Sequence, residues 1–511
     1  MVGSIALFAV AGILGYNQLR LQHLADVARV QAEDIHAKAK SARTVRQSLI
    51  TALRDADKVA DPLKRCLEFP DVPPLQWPPA FVAERCRLSA LSIITAEEID
   101  KKIEAGDVAY IDATFDDYAL QDGSNPKERG ILFRAFESQF ESSNPAIGEV
   151  LDRWVKAAPH SAYALAARGV FRVRSAQEER GTASSRETPD ANFDAMRSTM
   201  ALARSDLKAS LKINPRFAVA ATYLLPARTG ADDVAALGRN AAALSPDEYR
   251  IYMFWAKESS PLYGGSLEAL DEVAKAAEER QGANPLMAQV RARVLYFQKR
   301  ARAPSLSKAD LLEVLTIAPD SFALNNLKTL PLTPTDAELI TPLVRFEPTV
   351  ANYMSAAEAL AYARQSEWSN DYVHRAADIG SPMSTDFARY AQALMALHNG
   401  QAAEAAYTRV LAANPHSADA MKALTMIYES DLGRHDDAVA MAKRYVVAYP
   451  QDESSWSTLA FTYRKTDIPK YCEAMAKAYP DKPVAFWDYE HLCSDSSAQT
   501  TPVPTSALRH L

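Results

Sequence analysis

Glycine is scarce in this sequence, and the motifs of the common enzyme classes are missing. Glycine provides 17 of 511 residues, or about 3% against a usual ~7%, which leaves little material for phosphate-binding loops. The sequence contains no P-loop, dinucleotide-binding, serine-hydrolase or zinc-protease motif. The nine histidines are scattered along the chain. We therefore expect a non-enzymatic protein with no catalytic residues, no metal and no cofactor.

An excess of positive charge is also lacking. The chain has 57 Lys and Arg residues against 64 Asp and Glu residues, which gives a net charge of −7. Nucleic-acid binding requires a basic face, so this balance argues against it. Hydrophobic residues make up 48% of the sequence and charged residues 24%, a composition that predicts a largely folded chain.

The four cysteines form two local pairs. Cys66 and Cys86 are 20 residues apart, and Cys472 and Cys493 are 21 residues apart. Neither pair has the short spacing of a zinc or redox site, whereas adjacent antiparallel helices would bring each pair within reach of a disulfide bond. Two disulfides are one interpretation. Four buried thiols that act as small hydrophobic side chains are the other.

An apolar run begins directly at the N-terminus. Residues 2–16 are almost entirely apolar, but they fall short of the ~20 residues that span a bilayer comfortably. No basic residue precedes the run, as one would in a standard signal peptide. We interpret residues 1–16 as an uncleaved membrane anchor or signal-like helix, with a buried N-terminal helix as the alternative.

A pattern of two amphipathic helices occurs three times between residues 387 and 480. In the first copy, apolar residues at i, i+3, i+4 and i+7 are followed by a polar turn, a second apolar stripe and a proline. The residues of this copy are Phe387, Tyr390, Ala391, Leu394, Ala403, Tyr407, Leu411 and Pro415. The second copy carries about one extra residue, and the third is about four residues short. Each copy predicts a helical hairpin.

Prolines extend this period far upstream. From Pro215 onward they recur at intervals of 29 to 39 residues, and each is expected to end one helix and precede another. The periodic prolines are Pro159, Pro215, Pro246, Pro285, Pro319, Pro348, Pro382, Pro415, Pro450 and Pro480. The first interval is longer, and we attribute its extra length to a polar surface insertion at residues 175–192.

The repeated pattern resembles the tetratricopeptide repeat. The resemblance implies an all-α solenoid of helical hairpins that binds a protein or peptide along the concave wall formed by its first helices. It places candidate partner-binding residues at Lys422, Met426 and Glu429, and at Phe461, Arg464 and Lys465. The Lys and Asn clamp of the best-known peptide-binding members is not matched in the first copy.

A second resemblance covers about residues 95–300 and includes the sequence Tyr263-Gly264-Gly265-Ser266. This part looks like an uncharacterised bacterial domain family with an aromatic-Gly-Gly-Ser motif. The motif has two interpretations. It either holds a partner peptide or an anion, or forms a tight turn in which Ser266 caps the next helix and Tyr263 packs against Trp255.

These observations predict six segments. They are an anchor (1–16), a long helix with a Pro-rich connector and helical hairpin (17–94), a repeat-like domain (95–300), degenerate repeats (301–383), three clear repeats (384–493) and a disordered tail (494–511). We expect the body to lie in the periplasm, anchored to the inner membrane, because paired cysteines favour an oxidising compartment. A cytoplasmic location is the alternative.

The predicted function is that of a protein-binding scaffold or adaptor of the bacterial cell envelope. A narrower alternative is an immunity or inhibitor protein that neutralises a secreted toxin effector. From another class, a helical envelope enzyme would need a cluster of ionisable side chains with perturbed pKa values inside a pocket.

Overall fold

A computed structural model describes residues 43–181, 188, 190–331, 333–479 and 492–493. The chain divides into two compact units, residues 1–72 and 73–511. The predicted anchor at residues 1–16, most of the long helix that follows it and the predicted tail at 494–511 lie outside the described residues. Within the described part, no helix is both long enough and apolar enough to span a membrane.

The first unit contains helix α1 (residues 43–57) and helix α2 (Pro62–Glu68). Asp61 caps α2 by accepting a hydrogen bond from the backbone of Lys64. The buried guanidinium of Arg65 donates to Asp57 at 3.0 and 2.6 Å. This paired charge joins α1 to α2.

The second unit is a succession of helices, and its described residues contain no β-strand. The first half comprises α3 (Pro79–Ser89), α4 (Ala96–Glu104), α5 (Val108–Ser124), α6 (Ile131–Phe140), α7 (Pro145–Ala157), α8 (Ala162–Arg180), α9 (Asp190–Ile213), α10 (Ala218–Tyr223), α11 (Val234–Leu244), α12 (Tyr249–Ser259) and α13 (Leu267–Glu278). The second half comprises α14 (Met287–Arg302), α15 (Lys308–Ile317), α16 (Ser321–Lys328), α17 (Pro334–Glu338), α18 (Pro342–Phe346), α19 (Val350–Tyr362), α20 (Ser366–Ile379), α21 (Phe387–Ala396), α22 (Gly400–Ala413), α23 (Ala418–Met426), α24 (His435–Ala448), α25 (Glu453–Tyr463) and α26 (Ile468–Ala478).

The periodic prolines mark the ends of successive hairpins. Apart from Pro285, each described one follows the end of a helix within three residues. After Pro415, for example, Ser417 caps α23 by accepting from the backbone of Ala420. The helices of one hairpin pack on each other and on the next hairpin. The structure confirms the predicted all-α, tetratricopeptide-like solenoid.

The extra residue of the second clear repeat lies in a π-helical turn. Helix α23 continues as a turn over Ile427–Asp431, and the backbone N–H of Leu432 donates to the carbonyl of Ile427 at 3.0 Å. Such an i→i+5 bond accommodates one residue more than an α-helical turn does. The repeat therefore keeps its packing despite the insertion.

The insertion expected at residues 175–192 needs correction in its described part. Both of its ends are helical, because α8 runs to Arg180 and α9 begins at Asp190. The acidic pair Asp116 and Asp117 has the residue type of a helix-start cap, but it lies inside α5. Between the degenerate repeats, α16 ends at Lys328 and α17 begins at Pro334.

The array folds back on itself. The indole N–H of Trp77, just before α3, donates to the carbonyl of Leu315 at 2.9 Å. The hydroxyl of Ser142 donates to the carbonyl of Thr385 at 2.8 Å, and Asn144 donates to that of Pro382 at 2.8 Å. These long-range bonds place the first helices of the unit beside its middle, which encloses space between α3, α6, α12, α14 and α18.

None of the four cysteines is a free thiol. Cys472 of α26 forms a disulfide bond with Cys493, with a Cα–Cα distance of 5.7 Å. Cys66 and Cys86 are both buried, and neither is a free thiol. The alternative of four buried thiols therefore does not describe this structure.

Candidate functional site

Six of the predicted partner-binding residues lie on the first helices of the last two hairpins or directly after them. Helices α23 and α25 contact each other directly, so they form a continuous wall. Met426 is 40% exposed and Phe461 is 39% exposed. Single exposed apolar side chains are common on protein surfaces, but these two stand on helices that contact each other.

Polar and charged side chains surround these two residues. The ammonium of Lys422 lies 3.4 Å from the hydroxyl of Ser454 on the next first helix. Glu429 pairs with the imidazole of His435 at 2.9 Å. Lys465 is exposed and Arg464 is half-buried. The wall is therefore mixed, with apolar centres and charges of both signs nearby.

The Tyr-Gly-Gly-Ser sequence forms a tight turn between α12 and α13. A 3₁₀ turn covers Pro261–Tyr263, and Gly264 follows with a φ of +89°, a conformation that favours glycine. A Cβ on Gly265 would lie 1.9 Å from the carbonyl oxygen of Ser259. Ser266 caps α13 by accepting from the backbone of Ala269. This geometry accounts for both glycines and for the serine without a ligand.

Tyr263 has other neighbours than the expected Trp255. Its ring meets that of Phe297 edge to face, with 6.1 Å between centroids, and the ammonium of Lys257 lies 5.3 Å from its centroid. Its backbone carbonyl accepts a hydrogen bond of 2.8 Å from Arg228. The aromatic position of the motif thus fixes the turn against α12 and α14.

A charged cavity of about 280 Å³ lies where the array folds back on itself. Its residues come from helices far apart in the chain, so no local sequence pattern predicts it. The lining combines cations, carboxylates and an apolar wall. It includes Arg85, Glu137, Glu141, Tyr249, Arg250, Met253, Phe254, Lys257, Gln289, Arg293, Phe322, Phe346 and Glu347.

Two buried arginines of the cavity are only partly paired. The side chain of Arg250 is 4% exposed and donates to Glu137 at 2.7 Å and to Glu248 at 3.0 Å. Its third nitrogen, Nη2, is buried and has no hydrogen-bond partner among the described residues. Arg85 is 3% exposed and pairs with Glu347 through Nη2. Its Nε and Nη1 likewise find no partner in the described part of the chain.

The cavity perturbs the pKa values of its ionisable groups. Burial, reinforced by the charge of Glu137, raises the pKa of Glu141 to about 7. Burial lowers the pKa of Lys257 to about 8, although Glu141 opposes this shift. Burial alone would raise the pKa of Glu137, but the cations Arg250 and Arg85 outweigh it and hold that pKa below its usual value.

A sequence signal for this cavity existed but is weak. Glu137 and Glu141 are four residues apart, and Arg250 and Lys257 are seven apart, so each pair lies on one face of a helix or its end. Charged residues on one face are usually solvated, which is why the pattern carried no prediction. Among the described residues, no group of His, Cys, Asp and Glu side chains could hold a metal ion.

Comparisons with known proteins identify no family. No protein-family model matches the sequence, and no curated protein matches it either. Among solved structures, the crystal structure of the APC/C hetero-tetramer Cut9-Hcn1 aligns with 88% of this chain and 94% of its own, at 10% identity and a TM-score of 0.37. That similarity is too low to support an argument. The resemblance of residues 95–300 to a bacterial family stays an interpretation.

Proposed function

We propose that this protein is a non-enzymatic scaffold or adaptor of the bacterial cell envelope that binds a protein or peptide partner. The binding surface is the wall formed by α23 and α25. The observation that supports it is the exposure of Met426 and Phe461 on two first helices that touch each other. Burying such side chains against a partner removes apolar area from water, which favours association.

The charges beside these anchors would set orientation rather than supply most of the affinity. Lys422 is exposed on α23, and Lys465 is exposed two residues after the end of α25. Rim charges mainly change the association rate and its salt dependence. A partner segment with an apolar side chain for each anchor and acidic residues next to them fits this arrangement.

The proposed location is the periplasm, with residues 2–16 as an inner-membrane anchor. The disulfide between Cys472 and Cys493 supports an oxidising compartment. A cytoplasmic location remains the alternative. Alkylation of intact cells with a membrane-impermeant thiol reagent, before and after reduction, separates the two. Periplasmic protein would be labelled only after reduction.

The immunity or inhibitor function is a narrower form of the same proposal. It requires that the wall formed by α23 and α25 covers one toxin effector in a complex of fixed stoichiometry. A scaffold would instead recover several envelope proteins. Size-exclusion chromatography with light scattering on the purified complex distinguishes these two cases.

One observation favours the alternative of a helical envelope enzyme. Glu141 and Lys257, which line the cavity, have pKa values brought to about 7 and about 8, as acid and base catalysts require. An enzyme of this kind would bind its substrate in this cavity.

The binding proposal is tested with two variants. Met426→Ala combined with Phe461→Ala should reduce recovery of the native partner about tenfold or more, because each lost anchor costs roughly 1–2 kcal/mol. The matched control is Val447→Ala, which removes an apolar side chain that is 82% exposed on the second helix α24. Equal recovery by the double variant and by the control would contradict the proposal.

A further inference from the structure

The unpaired nitrogens of Arg85 and Arg250 lie in the lining of the same cavity. Three N–H-bearing atoms are involved, namely Nε and Nη1 of Arg85 and Nη2 of Arg250. A buried charged donor without a partner costs about 1–3 kcal/mol or more. Native structures keep very few such groups, and those that persist call for an explanation.

The neighbouring carboxylates do not provide that explanation. Glu137 and Glu248 are held by the Nε and Nη1 atoms of Arg250, and Glu347 is held by Nη2 of Arg85. Each arginine is therefore fixed in place by carboxylates on one side. The carboxyl group of Glu141 also lines the cavity, but it is not a hydrogen-bond partner of the three unpaired nitrogens. These donors therefore form a prepared site for acceptors on a ligand.

The cavity lining also contains one buried acceptor that has no donor. The side-chain oxygen of Gln289 is buried and also lacks a hydrogen-bond partner among the described residues. Its amide nitrogen donates to the carbonyl of Pro319 at 3.2 Å, which fixes which end of the amide accepts. A ligand that satisfied the site would therefore offer a donor to Gln289 in addition to acceptors for the arginines.

The rest of the cavity lining is apolar. Phe254, Phe322 and Phe346 line the cavity together with Met253. The guanidinium of Arg293, which pairs with the buried Asp320 at 2.5 Å, lies over the Phe322 ring at 4.6 Å from its centroid. These apolar side chains would cover the hydrophobic part of a ligand. A volume of about 280 Å³ is near the lower limit for small-molecule pockets, which suits a compact molecule.

We propose that this cavity is a binding site for a small organic anion. The ligand carries an oxyanion group, a carboxylate or a phosphate, that accepts from Arg85 and Arg250. A hydroxyl or amine next to that group donates to Gln289, and an apolar body packs on the phenylalanines. This site is separate from the proposed partner-binding wall on α23 and α25, and its inference does not depend on the scaffold function.

The test uses probes of this chemistry on the full-length protein. Isothermal titration calorimetry at pH 7 compares mandelate, which combines carboxylate, hydroxyl and phenyl groups, with phenyl phosphate and with neutral mandelamide. We expect the anions to bind with Kd values below about 10 mM and mandelamide not to bind measurably. Tighter binding of mandelate identifies a carboxylate ligand, and tighter binding of phenyl phosphate identifies a phosphate ligand.

Variants then locate the binding. Arg85→Gln should weaken the better anion about 10- to 100-fold, since it removes hydrogen bonds from a charged donor. The matched control is Arg239→Gln, an exposed arginine that pairs with Glu272 elsewhere and should leave binding unchanged. Gln289→Leu should weaken mandelate but not benzoate, which lacks the hydroxyl group. This second variant keeps the proposal testable if Arg85→Gln fails to fold.

Several results would overturn the proposal. One is that neither anion binds the wild-type protein, in which case water alone satisfies the cavity. Another is that Arg239→Gln weakens binding as much as Arg85→Gln, which would mean adventitious attraction to surface charge. A third is equal binding of mandelate and mandelamide. Each of these contradicts recognition of an oxyanion by the two buried arginines.

Discussion

The turn at residues 263–266 provides the sharpest prediction about stability, because its two glycines are needed for different reasons. At Gly264 the space for a Cβ is open, and only the positive φ opposes a side chain. We expect Gly264→Ala to cost about 1–2 kcal/mol from this strain. At Gly265 a Cβ would lie 1.9 Å from the backbone oxygen of Ser259, far inside contact distance.

Relief of that clash requires movement of the backbone. The Ser259 carbonyl also accepts a hydrogen bond of 3.0 Å from the backbone of Ser266, so moving it weakens the start of α13. Overpacking typically costs about 1–3 kcal/mol, and a lost hydrogen bond adds about 1 kcal/mol. We therefore expect Gly265→Ala to destabilise by about 2–4 kcal/mol, clearly more than Gly264→Ala.

The assay must report locally, because a long helical array need not unfold in one step. Native-state hydrogen exchange of α12 and α13 should show faster opening in Gly265→Ala than in Gly264→Ala. Gly282→Ala is the control, since a Cβ there meets nothing within 4 Å. If Gly265→Ala matched that control, the close backbone contact at the turn would be refuted.

Three further predictions concern the core, the disulfide and pH. Trp154→Ala should destabilise α5 and α7 by about 3–5 kcal/mol, measured by native-state hydrogen exchange of these helices, because the buried indole stacks on Phe115 at 5.6 Å. No change in their exchange would contradict the packing of α5 on α7. Cys472→Ser should destabilise α26 by about 3 kcal/mol on the chain-entropy model, as measured by hydrogen exchange. Reductant should destabilise α26 to the same extent in the wild-type protein but not in this variant. The pKa of Glu141 is about 7 in the folded state against 4.5 in the unfolded state. Burial of this carboxyl group therefore destabilises the folded state increasingly as pH rises from 4.5 to about 7. Glu141→Gln should therefore raise stability at pH 8 by on the order of 2 kcal/mol and have no effect at pH 4; an equal gain at both pH values would exclude this titration.

Much of the fold could be predicted because helical hairpins leave local signals. The capping box of Thr95 and Glu98 at the start of α4 is present, and so is the cap of Ser266 on α13. Proline cannot continue a helix, so its period reports hairpin length directly.

What local patterns could not predict is the return of the array onto itself. The contacts that close it join residues more than two hundred positions apart, such as Trp77 with Leu315 and Ser142 with Thr385. The cavity depends on these contacts, since Arg85 and Gln289 meet there only after folding. Neither residue has a sequence signal that separates it from an ordinary polar position on a helix.

The central claim is that the wall of α23 and α25 binds a protein partner. The most direct measurement is photo-crosslinking in native cells, with a benzophenone amino acid placed at Phe461 or, as the control, at Val447. Both positions are exposed, but only the first lies on the proposed wall. We expect a discrete crosslinked partner from position 461 that is lost in the Met426→Ala background and absent from position 447. Crosslinking that is equal at both positions, or that occurs only at 447, would contradict it.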